Sequence, residues 1–246
     1  MRAFYEVVSW VGSQVKGRKY ELDRSMPVFD VLIVLGRRLV WLARGWARTL
    51  LQQGRPKMVF MGPAVSLRHS AHIVFSRGVT LEQGVIIDGL SRDGVRLGKN
   101  VMIGAYSILR AAALTTDLGA GVRIGDESAI GAYSFIGASG GVTIGNFVIM
   151  GQHVSFHAEN HEFDRCDVPI KSQGVRRIGI VIEDDCWIGS NVTFLDGAYV
   201  ESGCVIGAGS VVRGRIPSYS IAVGVPARVA KSRKVVSVQV VSANRL

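Results

Sequence analysis

From Ile182 onward the chain places an apolar residue at every sixth position. Ile182, Ile188, Phe194, Val200 and Ile206 head the units of "IEDDCW IGSNVT FLDGAY VESGCV IGAGSV", and Val212 heads the next. The fifth place of each unit is small or medium in size: Cys186, Val192, Ala198, Cys204 and Ser210. The same frame runs through Leu118, Ile124, Ile130 and Ile136, then Ile144 and Met150, and upstream through Leu67, Ile73, Val79 and Val85. It slips by three residues between Leu109 and Leu118, by two between Ile136 and Ile144, and by twenty between Phe156 and Ile182. A period of six fits neither a helix nor simple strand alternation, so each unit is predicted to be a short strand plus a turn. Gly, Asn and Asp in places two to four supply the turn. Three units close a triangular coil of about 18 residues, and successive coils stack through parallel strands. The expected fold is therefore an all-β solenoid, with the heading residues inside and the slips as loops.

Residues 1–60 break this pattern and are expected to form a basic helical extension, followed by the solenoid at 61–230 and a tail at 231–246. Val28 to Leu51, "VFDVLIVLGRRLVWLARGWARTLL", reads as helix. On a helical wheel Arg37, Arg44 and Arg48 fall within about 40° of one another, and Arg38 flanks them. The remaining residues are largely Val, Leu, Ile, Phe and Trp. That composition suits a helix lying in a membrane interface, and equally a helix packed on the rest of the chain or on a partner subunit. Gly36 and Gly45 weaken the helix modestly.

Residues 1 to 57 hold 11 Lys and Arg against 4 Asp and Glu, most of the net +10. No nucleic-acid-binding motif accompanies this charge, so nucleic acid is not the expected partner. Three cysteines without a CxxC argue against a disulfide framework or a cysteine zinc site and for a reducing compartment. Neither a signal peptide nor an apolar run of about 18 residues is evident. The expectation is a cytoplasmic protein, with residues 28–51 as its point of contact with the inner face of the membrane.

The twenty-residue interruption "HAENHEFDRCDVPIKSQGVR" must project from the solenoid, giving a loop at 157–179. Loops on a rigid scaffold are common places for function. His157 and His161 lie at its start, and a neutral histidine is well matched to removing a hydroxyl proton near pH 7. Glu162 and Asp164 would either orient such an imidazole or serve as solvated loop charges. Cys186 and Cys204 are one coil apart and are expected to stack inside as inert packing groups, with Cys166 in the loop.

The hexad pattern, with "ENHEFD", "WIGSNV", "IGAGSVV" and "GVPAR", resembles the hexapeptide-repeat acyltransferases over about residues 60 to 230. Within that family the chain is similar to the galactoside, maltose and polysaccharide O-acetyltransferases. The resemblance implies a left-handed parallel β-helix, a homotrimer, and transfer of acetyl from acetyl-CoA to a sugar hydroxyl of a glycan; the basic amphipathic N-terminus, with the departures at the acceptor positions Gly131 and Ser139, favours a surface-polysaccharide or lipid-linked precursor. Carried without gaps from "VTIG" at Val142 to Gly145, the family's general base falls on His161. The resemblance further implies Trp187 beside the reacting centre, Ser190 and Ala208 along the thioester arm, and Arg228 and Lys231 at the phosphate end of the cofactor. Where the family commonly has Thr-Lys after "AGSVV", this chain has Arg213 and Gly214, leaving Arg213 or Arg215 to supply the basic group. Gly131 and Ser139 stand where sugar-specific relatives hold an Asn and an Asp, so the acceptor need not be a simple galactoside. No metal is expected. A γ-type carbonic anhydrase would need three converging histidines on zinc, and His153, His157 and His161 straddle strand and loop. A solenoid that binds without catalysis is the remaining alternative.

Overall fold

A computed structural model describes residues 2–111 and 117–233; most of the expected tail, residues 234–246, lies outside them. Two helices come first, α1 (Arg2–Lys16) and α2 (Val28–Gln53). Helix α2 ends at Gly54, whose φ of 71° and N–H bond to the Leu50 carbonyl close the last turn. It packs against the first strand, Val59–Met61. Gly45 makes this approach possible, because a Cβ there would collide with the Val59 carbonyl. Thr49 donates to the Gly45 carbonyl at 2.8 Å and accepts the Lys57 N–H at 2.9 Å, tying the helix end to the chain that enters the strand.

Beyond α2 the chain visits three sheets in rotation and builds a left-handed parallel β-helix. Sheet A has nine strands, from Val59–Met61 to Arg228–Ser232; sheet B has seven, from Ser66–Arg68 to Val211–Val212; sheet C has seven, from Ile73–Phe75 to Arg215–Ile216. Every neighbouring pair in these sheets is parallel except the last, where Arg228–Ser232 returns antiparallel along Ser220–Val223. The heading residues form buried columns. Ile182 stands over Ile144, Ile124, Leu97 and Phe75, and Phe194 over Phe156, Ile136, Leu109 and Ile87. Each such side chain contributes about 1.5–3 kcal/mol by leaving water. Cys186 and Cys204 are buried, as are Val192, Ala198 and Ser210 in the same place of their units. The hydrogen bond between the free thiols of Cys186 and Cys204, together with burial, pushes the Cys186 thiol above the ordinary range.

Strand pairing corrects the upstream frame. Leu67 is in phase, opposite Ile87, but the following heads are Phe75, Leu81 and Ile87 rather than Ile73, Val79 and Val85. The chain gains two residues between Leu67 and Phe75, at the short 3-10 turn Ser70–His72, and four more between Ile87 and Leu97. The two slips add to one hexad, so the sequence frame re-enters phase by Leu97 and hides them. Val79 and Val85 occupy the fifth place instead, and both are buried there.

The turns also differ in one respect from expectation. The fourth place adopts the left-handed conformation, and Tyr106, Glu127, Tyr133, Phe147 and His153 hold it alongside Asn100, Asp185 and Asn191, all with φ of 55–59°. Neighbouring rings offset some of this strain: Tyr106 stacks on Tyr133 at 5.4 Å, and Tyr133 on His153 at 5.1 Å.

Candidate functional site

Strand Ser155–His157 is the last of its coil in sheet B. The chain then leaves the solenoid at the corner between sheets B and C and returns as Ile180–Ile182 of sheet C. The excursion is an antiparallel hairpin in which Asn160–His161 pairs with Val175–Arg176, placing His161 opposite Val175. The Glu162 N–H bonds the Gly174 carbonyl at 3.1 Å.

Two anchors hold the base of this hairpin. The buried Asp196 carboxylate accepts the N–H groups of Ile178 at 2.9 Å and Gly179 at 2.8 Å. Arg177 bridges Glu159 at 2.6 Å and Asp117 at 2.8 Å, and its guanidinium holds the Asp117 carboxyl below the usual carboxylate range. The sequence reading missed both anchors. Asp196 sits in the third place of its unit like other turn acids, and only the path of the returning loop sets it apart.

His161 is exposed, and among the described residues its ring makes no hydrogen bond or ion pair. Among the described residues neither Glu162 nor Asp164 makes a hydrogen bond or ion pair with it; they line a surface hollow of about 350 Å³ with Arg165, Val168, Ser172 and Gln173. His157 lies on the outer face of sheet B, tilted against the Phe135 ring at 5.8 Å, with the Arg110 guanidinium 5.6 Å from that ring. His153 is a turn residue at the corner between sheets A and B. Three histidines spaced four apart in sequence thus occupy a corner, a sheet face and a hairpin. Among the described residues no three His, Cys, Asp or Glu side chains converge on a metal site.

The positions carried over for the cofactor lie elsewhere. Trp187, 59% exposed, stands on the outer face of sheet A between Ile149 and Val205. Ser190 and Ala208 occupy the turns that follow at the corner between sheets A and B; the Ser190 hydroxyl accepts the Gln152 N–H at 3.3 Å. Ala208 packs under Gly189, where a Cβ would meet its backbone. Arg228 and Lys231 are exposed on the returning strand at the C-terminal edge of sheet A, Lys231 opposite Ile221. Arg213 is exposed after Val211–Val212, at the corner between sheets B and C. Arg215 is committed to Glu201 at 2.5 Å, so it is less free than Arg213 to meet a ligand. Five of the seven predicted positions therefore gather along sheet A and its border with B, while His161 and Arg213 share the opposite corner of the prism.

Repeat families match the stacked coils. Residues 179–214 match the Bacterial transferase hexapeptide (six repeats), and residues 94–132 and 121–151 match the Hexapeptide repeat of succinyl-transferase. A Mycobacterium tuberculosis protein named as a probable acetyltransferase is 43% identical over 93 residues, covering 38% of this chain and 31% of that one. An Escherichia coli protein whose name assigns it provisionally to lipopolysaccharide-biosynthesis O-acetyl transfer is 36% identical over 97 residues, covering 37% and 50%. The galactoside O-acetyltransferase of Escherichia coli is 36% identical over 92 residues, covering 36% and 42%. The chain thus matches half or less of the length of each of these relatives. Repeat matches and coil geometry agree over residues 94–151 and 179–214, which carry the hexapeptide repeats found in bacterial transferases.

Proposed function

We propose that the protein is an O-acetyltransferase that moves acetyl from acetyl-CoA to a sugar hydroxyl of a glycan, with His161 as general base. The observation that carries this reading is the hairpin. Among the described residues, an anchored hairpin projects from the solenoid with an exposed imidazole that makes no hydrogen bond or ion pair, and the named relatives are acetyltransferases. A neutral ring nitrogen of His161 takes the proton of the acceptor hydroxyl while its oxygen attacks the thioester carbonyl. The tetrahedral centre collapses, the C–S bond breaks, and the imidazolium returns the proton to the departing thiolate. No acyl-enzyme is required. Trp187, Ser190 and Ala208 would flank the pantetheine arm, and Arg228 and Lys231 would meet the phosphates of the cofactor, with Arg213 reaching them from the protomer that supplies the hairpin.

His161 and Trp187 lie on opposite sides of one prism, so one protomer does not bring them to a single ligand. We infer an assembly, a homotrimer, in which the hairpin of one protomer reaches sheet A of the next. The acceptor is read as a surface-polysaccharide or lipid-linked precursor, a reading supported by the name of the Escherichia coli relative and by the exposed apolar face of α2. Among the described residues no helix is long and apolar enough to cross a membrane. Contact with lipid would therefore be peripheral.

The test is calorimetry of acetyl-CoA binding to wild type and to His161→Ala, followed by thiol release with a panel of glycan acceptors. Equal binding by both, with release lowered about 100-fold or more in the variant, is expected. Absence of binding by wild type would leave a non-catalytic solenoid as the better account.

A further inference from the structure

On sheet C the strands Gly94–Leu97 and Gly121–Ile124 pair in parallel register, which sets Arg96 directly beside Arg123 on the exposed face. Neighbouring strands lie about 4.8 Å apart, and like charges side by side oppose pairing. On the same sheet Arg215 relieves its charge on Glu201. Among the described residues, neither Arg96 nor Arg123 has an ion pair or a side-chain hydrogen bond.

The two guanidiniums border a hollow of about 230 Å³ that continues to Thr143 on the next strand. Its floor is main chain at Gly121 and Gly141, with φ of 147° and 96°. A Cβ at Gly121 would collide with the Gly94 carbonyl, so the strand needs glycine there, and the bare backbone keeps the floor open. Asp93 stands on the rim, leaving the hollow with one net positive charge. The hollow also adjoins the base of the His161 hairpin: the Ile180 N–H bonds the Gly141 carbonyl at 2.9 Å, and Val142 pairs with Ile180.

We propose that this hollow receives a phosphate or diphosphate group carried by the acceptor, a proposal that rests on the transfer reaction proposed above. Two fork-shaped donors side by side suit a ligand with several acceptor oxygens and more than one negative charge. A neutral sugar supplies neither. The acceptor then lies along the corner between sheets B and C, its phosphate end at the arginines and a hydroxyl toward His161. Nucleotide-linked and lipid-linked sugars share this diphosphate chemistry.

Inorganic pyrophosphate is the first probe, titrated calorimetrically into the full chain and into the double variant Arg96→Gln/Arg123→Gln. Saturable binding by wild type, weakened about tenfold or more in the double variant and by added salt, is expected. The variant should melt no lower than wild type, since the repulsion between the strands is gone. A variant that keeps charge without the fork, Arg96→Lys/Arg123→Lys, should bind with intermediate affinity. Absence of saturable binding by wild type, or equal binding by the glutamine variant, overturns the proposal. Competition by a soluble nucleotide-linked sugar or by a lipid-linked sugar diphosphate in micelles identifies the source, and competition by neither also overturns it. Pyrophosphate binding requires neither acetyl-CoA nor His161. A protein that binds it but acetylates nothing loses the transfer reaction and keeps the hollow, whereas one that acetylates neutral glycans without binding it loses the hollow alone.

Discussion

Gly36 and Gly45 are alike in sequence, both glycines inside α2, yet their surroundings make opposite demands. A Cβ at Gly36 meets nothing within 4 Å, so Gly36→Ala should stabilise the protein by about 1 kcal/mol through helix propensity. A Cβ at Gly45 would strike the Val59 carbonyl, so Gly45→Ala should destabilise it by about 1–3 kcal/mol. Urea denaturation of both variants checks the pair, and shifts of the same sign would refute the contact between helix and strand. The histidines teach the same lesson. His161 was legible as the candidate base because a motif surrounds it. His153 was legible only as one of three evenly spaced histidines, and its actual place, a left-handed turn stacked on Tyr133, depends on a ring twenty residues away.

At the scale of elements, α2 was legible from its periodicity, and so was its arginine stripe. Its orientation was not. The buried face is Val31, Gly45 and Thr49, with Arg38 turned inward over the Phe60 ring at 5.5 Å and donating to the Thr80 hydroxyl at 3.3 Å. The opposite face exposes Phe29, Leu32, Ile33, Val40, Leu50 and Leu51, the last 83% accessible, beside Arg37, Arg44 and Arg48. Helix α1 adds exposed Val7, Trp10 and Val11. An apolar face bordered by cations matches a surface of anionic lipid, where each arginine near the surface is worth about 1 kcal/mol. Flotation with anionic vesicles should therefore carry the wild-type protein, and replacement of Arg37, Arg44 and Arg48 by Ser should lower the bound fraction markedly. Unchanged flotation would sink the interfacial reading and favour a protein partner on this face. The hairpin at 157–179 was legible as an interruption, but its anchors were not, because Asp196 and Asp117 reach its returning segment, at Ile178 and at Arg177, from elsewhere in the chain.

The whole molecule sets where the predicted chemistry can meet. If the hairpin of one protomer serves sheet A of another, co-expression of His161→Ala with Trp187→Ala should restore part of the activity that each variant lacks alone. Mixed assemblies no more active than the parents would place the site within one protomer. The six-residue period determined, from the sequence by itself, the class of fold, the buried columns from Ile124 onward, the small fifth place and the position of the projecting loop, whereas Leu118, predicted to head a unit, lies outside every strand and is only half-buried because the chain passes from Leu109 of sheet B to Ile124 of sheet C. Each of these follows from local rules: an apolar residue must turn inward once per strand, and a turn must follow it. The upstream phase was decided only by tertiary structure, because two slips that add to one hexad leave no trace in periodicity and show only in strand pairing. The anchors of the hairpin, the juxtaposition of Arg96 and Arg123 on sheet C and the placement of His161 and Trp187 on different faces were decided in the same way. They depend on which coil lies above which and on which of three faces a residue occupies, and stacking sets both.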